Sequence, residues 1–156
     1  MDAITKAPGI KGMLQTFVKI VSQCPENKTI AFIGLPYTCT PFIDLFVYAV
    51  RKVTTDTYYV KSKDPSDMLR LTLSDVRVSH QEGCVGKADI IVVMGGVAMP
   101  NNDWTPDDVN AIIDSLSHEK TSVVGACFMD MFEKAGWIGK VDFTYREECY
   151  LSTDAL

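Results

Sequence analysis

The chain has 156 residues and a mass of 17.3 kDa, the length of one domain able to bury a substantial core. Hydrophobic residues make up 47% and charged residues 22%, which leaves disordered, collagen-like and low-complexity classes without support and points to a single compact domain over residues 1–156. Fifteen Lys and Arg against twenty Asp and Glu give a net charge of −5, a field that repels phosphate backbones and anionic lipid, so nucleic acid and membrane are disfavoured as partners.

Along the chain, Ile10, Met13, Leu14, Phe17, Val18 and Val21 recur at helical spacing and predict an amphipathic helix over 10–23. No basic segment leads into an unbroken apolar run there, so the reading is a cytoplasmic protein without a secretion signal. Thr29 to Ile33 is β-branched and apolar, closed by Gly34 and Pro36, and reads as a buried strand. Thr40 and Pro41 supply a cap and a favoured first residue for a helix that runs from Phe42 to Lys52. Its near-absence of charge predicts burial on all sides or cover from a second copy in a homodimer.

Thr57 to Val60 and Val76 to Ser79 read as strands. Between them, Asp64-Pro65 suits a short helix, whereas Leu69, Leu71 and Leu73 alternate as a strand does, and the pattern does not decide. Asp89 to Met94 is the strongest strand signal and runs into Gly95-Gly96. Thr105-Pro-Asp-Asp108 carries cap, proline and first-turn acids for a helix whose apolar stripe is Val109, Ile112, Ile113 and Leu116. Thr121 to Ala126 is a further strand, Phe128 to Ala135 a helix, and residues 141–145 with 149–152 a terminal hairpin or one bent strand. Strands alternating with helices predict a mostly parallel central sheet in a three-layer, Rossmann-like or flavodoxin-like domain.

Ligands of such sheets bind beyond the carboxyl ends of the strands, so the loops after Ile33, Val60, Met94 and Ala126 are the candidate site. Thr38, Cys39 and Thr40 precede a helix amino terminus, where free amides favour an anion and where Lys61 or Lys63 would help. Neither G-x-G-x-x-G nor G-x-x-x-x-G-K-[ST] is present, and no cofactor is specified. Gly95 and Gly96 leave room for a ligand or expose amides as an oxyanion hole. The ligand-binding candidates are thus Gly34, Thr38, Cys39, Thr40, Gly95, Gly96 and Asn101, for a small anionic metabolite or a partner protein.

Cys127 falls between a predicted strand and a predicted helix, where a helix amino terminus lowers a thiol pKa, and His80 is the candidate base. Val123-Val-Gly-Ala-Cys-Phe-Met129, with the upstream Gly-Gly, resembles the nucleophile-elbow region of class I glutamine amidotransferases. That resemblance implies a cysteine-dependent hydrolase or transferase. It departs from the family in having Met129 where a small residue is usual and no histidine after Cys127. The five cysteines have no C-x-x-C pair and suggest neither a disulfide framework nor a metal site. Over its whole length the chain also resembles a small family of methanogenic archaea, through its GLPYTCTP, DIIVVMGG and GACFMDMFEKAGW segments. This implies a three-layer α/β domain and supplies no catalytic residue. A purely structural or dimerising module is the third reading.

Overall fold

A computed structural model describes residues 6–156; the first five residues of the predicted domain lie outside it. Seven strands form one sheet in the order β4-β3-β2-β1-β5-β6-β7. The strands are β1 (Thr29–Ile33), β2 (Asp56–Val60), β3 (Met68–Leu73), β4 (Val78–Glu82), β5 (Ala88–Met94), β6 (Ser117–Phe128) and β7 (Tyr145–Cys149). From β2 to β7 the neighbours are all parallel, and β3 is antiparallel to both β2 and β4. The helices are α1 (Gly9–Gln23), α2 (Thr40–Ala49), α3 (Pro106–Leu116) and the single turn α4 (Met131–Lys134). Among the described residues no helix is long and apolar enough to cross a membrane.

The period-two geometry of a strand sends successive side chains to opposite faces, and both faces are apolar here, as a sheet covered on both sides requires. Ile30, Phe32, Ile90, Val92 and Met94 face α1 and α2, whereas Ala31, Ile33, Ile91 and Val93 face α3 and α4. Phe17 of α1 meets Phe46 of α2 at 4.2 Å between ring centroids, which joins the two helices over the first face. The three-layer α/β architecture with a mostly parallel sheet is therefore the one the strand–helix alternation predicts. The apolar face of α2 is consumed inside the chain, because Ile43, Phe46, Val47 and Val50 are buried in this core. Its charge-poor sequence accordingly gives no separate argument for a second copy.

Four local readings are corrected. The alternation of Leu69, Leu71 and Leu73 wins over the short helix, and β3 forms a hairpin with β4, which starts two residues later than predicted. Thr40 does not cap α2: it is the first helical residue, and its hydroxyl turns back to accept from the Tyr37 N–H at 3.2 Å and to bond the Tyr59 hydroxyl at 3.1 Å. The helix expected from Phe128 shrinks to one turn, because β6 runs on through Phe128 and Met129 and Asp130 then take left-handed φ values of 55° and 58°. At the carboxyl end there is neither hairpin nor bend; β7 pairs parallel to β6 over Tyr145–Cys149.

Candidate functional site

Parallel β1, β5 and β6 lie side by side, so the segments that follow Ile33 and Met94 leave the sheet at one edge with the one that follows Phe128, two residues beyond the predicted strand end at Ala126. Each of the two cysteines at this edge fits against a glycine of the β5 loop. A Cβ on Gly96 would stand 2.5 Å from Cys39 Sγ, and one on Gly95 would stand 3.1 Å from both Cα and Sγ of Cys127. The third glycine, Gly34, has the Cys39 Cβ 2.8 Å from where its own Cβ would be. These glycines do allow a close approach, but what approaches is the chain's own thiols. Cys39 and Cys127 are buried, with Val97 and Ala98 of the short 3-10 helix Gly95–Ala98 sealed beside them.

The electrostatics of both thiols follow from that burial. Cys127 is pushed up to about 11 by burial, which the Phe132 N–H, 3.3 Å from Sγ, only partly offsets, while the neighbouring Glu148 carboxylate raises it further. Cys39 is also raised by burial, partly offset by backbone groups of Leu35 and Gly96. The reading that Cys127 sits on a helix amino terminus is thus corrected, since its strand continues past it and no helix begins until Met131. The elbow that the amidotransferase resemblance implies also differs in place. The left-handed residues are Met129 and Asp130, two and three positions beyond the cysteine, and the thiol lies beneath them in the core.

The structure does not bring His80 to Cys127. His80 lies on β4, at one margin of the sheet and five strands from β6, where strands spaced about 4.8 Å apart put it on the order of 24 Å away. Its Nε2 pairs with Asp44 of α2 at 2.8 Å. His118, at the start of β6 and therefore on the opposite edge from Cys127, bonds Asp89 at 2.7 Å. Asp89 is held below the usual carboxylate range: burial works against this, but His118 and the backbone N–H groups of Lys28 and Thr29 outweigh it.

The cations expected to assist an anion are already engaged. Lys61 pairs with Asp67, and Lys63 pairs with Asp103 at 3.4 Å and Asp108 at 3.3 Å. The Phe42 and Ile43 amides at the start of α2 both bond the Cys39 carbonyl. Thr38 is exposed, with its methyl 3.4 Å from where a Gly96 Cβ would be. Asn101 is exposed, whereas its neighbour Asn102 braces the loop by donating to the Gly96 and Met99 carbonyls and accepting from the Trp104 N–H. Sequence reasoning passed over Asn102, although an Asn ahead of a helix cap is a common loop brace. Among the described residues no three His, Cys, Asp or Glu groups gather as metal ligands, and Cys84 instead bonds the Ser66 carbonyl.

What the rim does present is an exposed surface of strained residues. Tyr37 is 93% exposed and holds φ at 69°, and Met129 is 42% exposed at φ 55°. Phe42 and Phe128, partly buried, meet at 4.4 Å between ring centroids with their planes tilted by 45°, and join the start of α2 to the end of β6. Tyr150, also exposed, donates to Asp130 at 2.6 Å and steadies the second left-handed residue. Left-handed φ is uncommon for residues other than glycine and gives no signal in a sequence, so neither Tyr37 nor Met129 was visible as a site residue.

Comparison with known proteins agrees with this architecture. Residues 8–149 match the family described as "Uncharacterized protein conserved in archaea (DUF2124)". An uncharacterized protein of Methanothermobacter thermautotrophicus is 32% identical over 154 residues, covering 99% of this chain and 95% of that protein. Another from Methanocaldococcus jannaschii is 35% identical over 138 residues, 88% of this chain and 83% of that one. The crystal structure of a protein of unknown function from Methanothermobacter thermautotrophicus superposes with a TM-score of 0.90 at 31% identity, covering all of this chain and 97% of the other. With most of its length matched and both relatives above 30% identity, the chain belongs to this family conserved in archaea.

Proposed function

We propose that this domain is a non-catalytic binding module that engages a partner protein at the carboxyl rim of its sheet. The observation that carries the reading is Tyr37: a large aromatic side chain, 93% exposed, on a residue held at φ 69° by the Thr40 hydroxyl. Left-handed backbone costs a residue with a Cβ about 1–2 kcal/mol, and strain of this kind persists where something outside stability selects it. Tyrosine is also the residue type that anchors protein interfaces. Burial of Cys39 and Cys127 and the engagement of Lys61 and Lys63 favour a protein partner over covalent chemistry or a small anion.

Tyr37→Gly separates binding from folding. Glycine tolerates this backbone, so urea unfolding is expected to show stability unchanged or raised by about 1 kcal/mol, while partner affinity falls about tenfold. A photo-crosslinking residue at position 37, in an extract of the source organism, is expected to trap a discrete product that excess native protein competes away. The same residue at Val76, exposed in the turn between β3 and β4 on the opposite edge, is the control. Equal products at both positions, or stabilisation of the native protein by inorganic phosphate or nucleotides, would overturn the reading.

A further inference from the structure

Away from the rim, a cleft of about 720 Å³ runs between α1 and β7. It touches every residue from Tyr145 to Leu151, so it follows the last strand of the sheet along its length, and α1 lines it with Gly9, Gly12, Met13, Thr16 and Ile20. Its volume is in the range of about 300–1,000 Å³ that holds a small organic ligand. Along its β7 wall lies Glu147, only 4% exposed. One carboxyl oxygen, Oε2, receives a weak bond from Cys149 Sγ at 3.4 Å, and the other, Oε1, is buried with no partner.

A buried carboxyl oxygen without a donor costs roughly 1–3 kcal/mol, more when charged, and native proteins retain few of them. The cationic side chains of the cleft do not relieve it. Arg146 is directed to Glu148 at 3.3 Å, and Lys6 and Lys19 line the cleft without pairing with Glu147. We infer that the cleft between α1 and β7 binds a ligand bearing a cationic nitrogen, with Glu147 Oε1 as its acceptor. An alkylammonium or guanidinium group supplies the donor and the positive charge that this oxygen lacks, and the apolar lining that includes Met13 and Ile20 meets the ligand's carbon frame. Glu147 is raised to about 7 by burial, as a carboxyl waiting for such a partner would be.

The cationic nitrogen has two possible sources, a free amine or the lysine side chain of a peptide lying along β7. Amide NMR spectra are to be followed while adding butylammonium chloride, the capped pentapeptide Ac-Val-Ala-Lys-Ala-Val-NH2, or its norleucine counterpart. A positively charged probe is expected to shift the amides of Gly12, Thr16 and Cys149 saturably, and the norleucine peptide is expected not to. Glu147→Gln is expected to weaken binding at least about tenfold while melting no lower than the native protein, which separates lost binding from lost folding. Binding of both charged probes with similar affinity identifies a free amine, and binding of the lysine peptide alone identifies a protein segment. No saturable shift with either charged probe, or equal binding by Glu147→Gln, would overturn the inference.

Discussion

Between pH 5 and pH 8 the native protein is expected to lose about 2–3 kcal/mol of stability, and Glu147→Gln to abolish most of that loss. Burial raises Glu147 to about 7 from an ordinary 4.5. A raised folded-state value means that the folded protein holds its proton over a range in which the unfolded chain has released it. The stabilising contribution is therefore complete below pH 4.5 and is lost as pH climbs through about 7. Glu148, raised by burial against the partial relief of Arg146, acts in the same direction. The lowered carboxyls Asp89 and Asp108 act in the opposite direction, but below about pH 4, outside this window. Urea unfolding at the two pH values checks this. A native protein no less stable at pH 8, or a glutamine variant with the same slope, would contradict the assigned environment of Glu147.

At the rim, Gly96→Ala is expected to cost about 2–3 kcal/mol, because its new methyl would meet the Sγ of the buried Cys39 at 2.5 Å and force that side chain to shift. Removing the sulfur with Cys39→Ala opens that space. The double variant should then be less destabilised than the sum of the single changes by about 1–2 kcal/mol. Gly95→Ala provides the contrast. Its methyl would stand 3.1 Å from the Cα of Cys127 as well as from its Sγ, so Cys127→Ala leaves the backbone contact in place and rescues less. Denaturant midpoints for the two pairs measure both couplings, and equal rescue in both would refute the packing described for the β5 loop.

Much of the architecture could be read from local patterns because those patterns are set by burial. The Asp89 to Met94 run forms the interior strand β5, and Thr105 caps α3 as its sequence predicts, while Asp108, expected only to complement the helix dipole, also accepts a bond back from the Thr105 N–H. Strand order is a property of the whole chain and cannot be read this way. His80 and Cys127 therefore looked like candidate partners until the sheet placed them on β4 and β6. The middle of β7, Arg146 to Glu148, falls between the two runs that read as strand, for a different reason. A buried strand is expected to be apolar, and this one carries two glutamates, one of them almost wholly buried. The glycines at the rim read as room for a ligand, but a glycine does not specify whether the approaching atoms belong to a ligand or to a neighbouring loop, and here the atoms beside them are those of Cys39 and Cys127.

Cys39 and Cys127 are both buried and close the carboxyl rim from within. Timed labelling of the native protein at neutral pH with a charged thiol reagent, located by peptide mass spectrometry, tests it most directly. Rapid labelling is expected at Cys84, the exposed cysteine among the five, with Cys39 and Cys127 labelled only at the rate of unfolding. Labelling of Cys127 in the folded protein as fast as Cys84 would contradict it and return the rim to thiol chemistry.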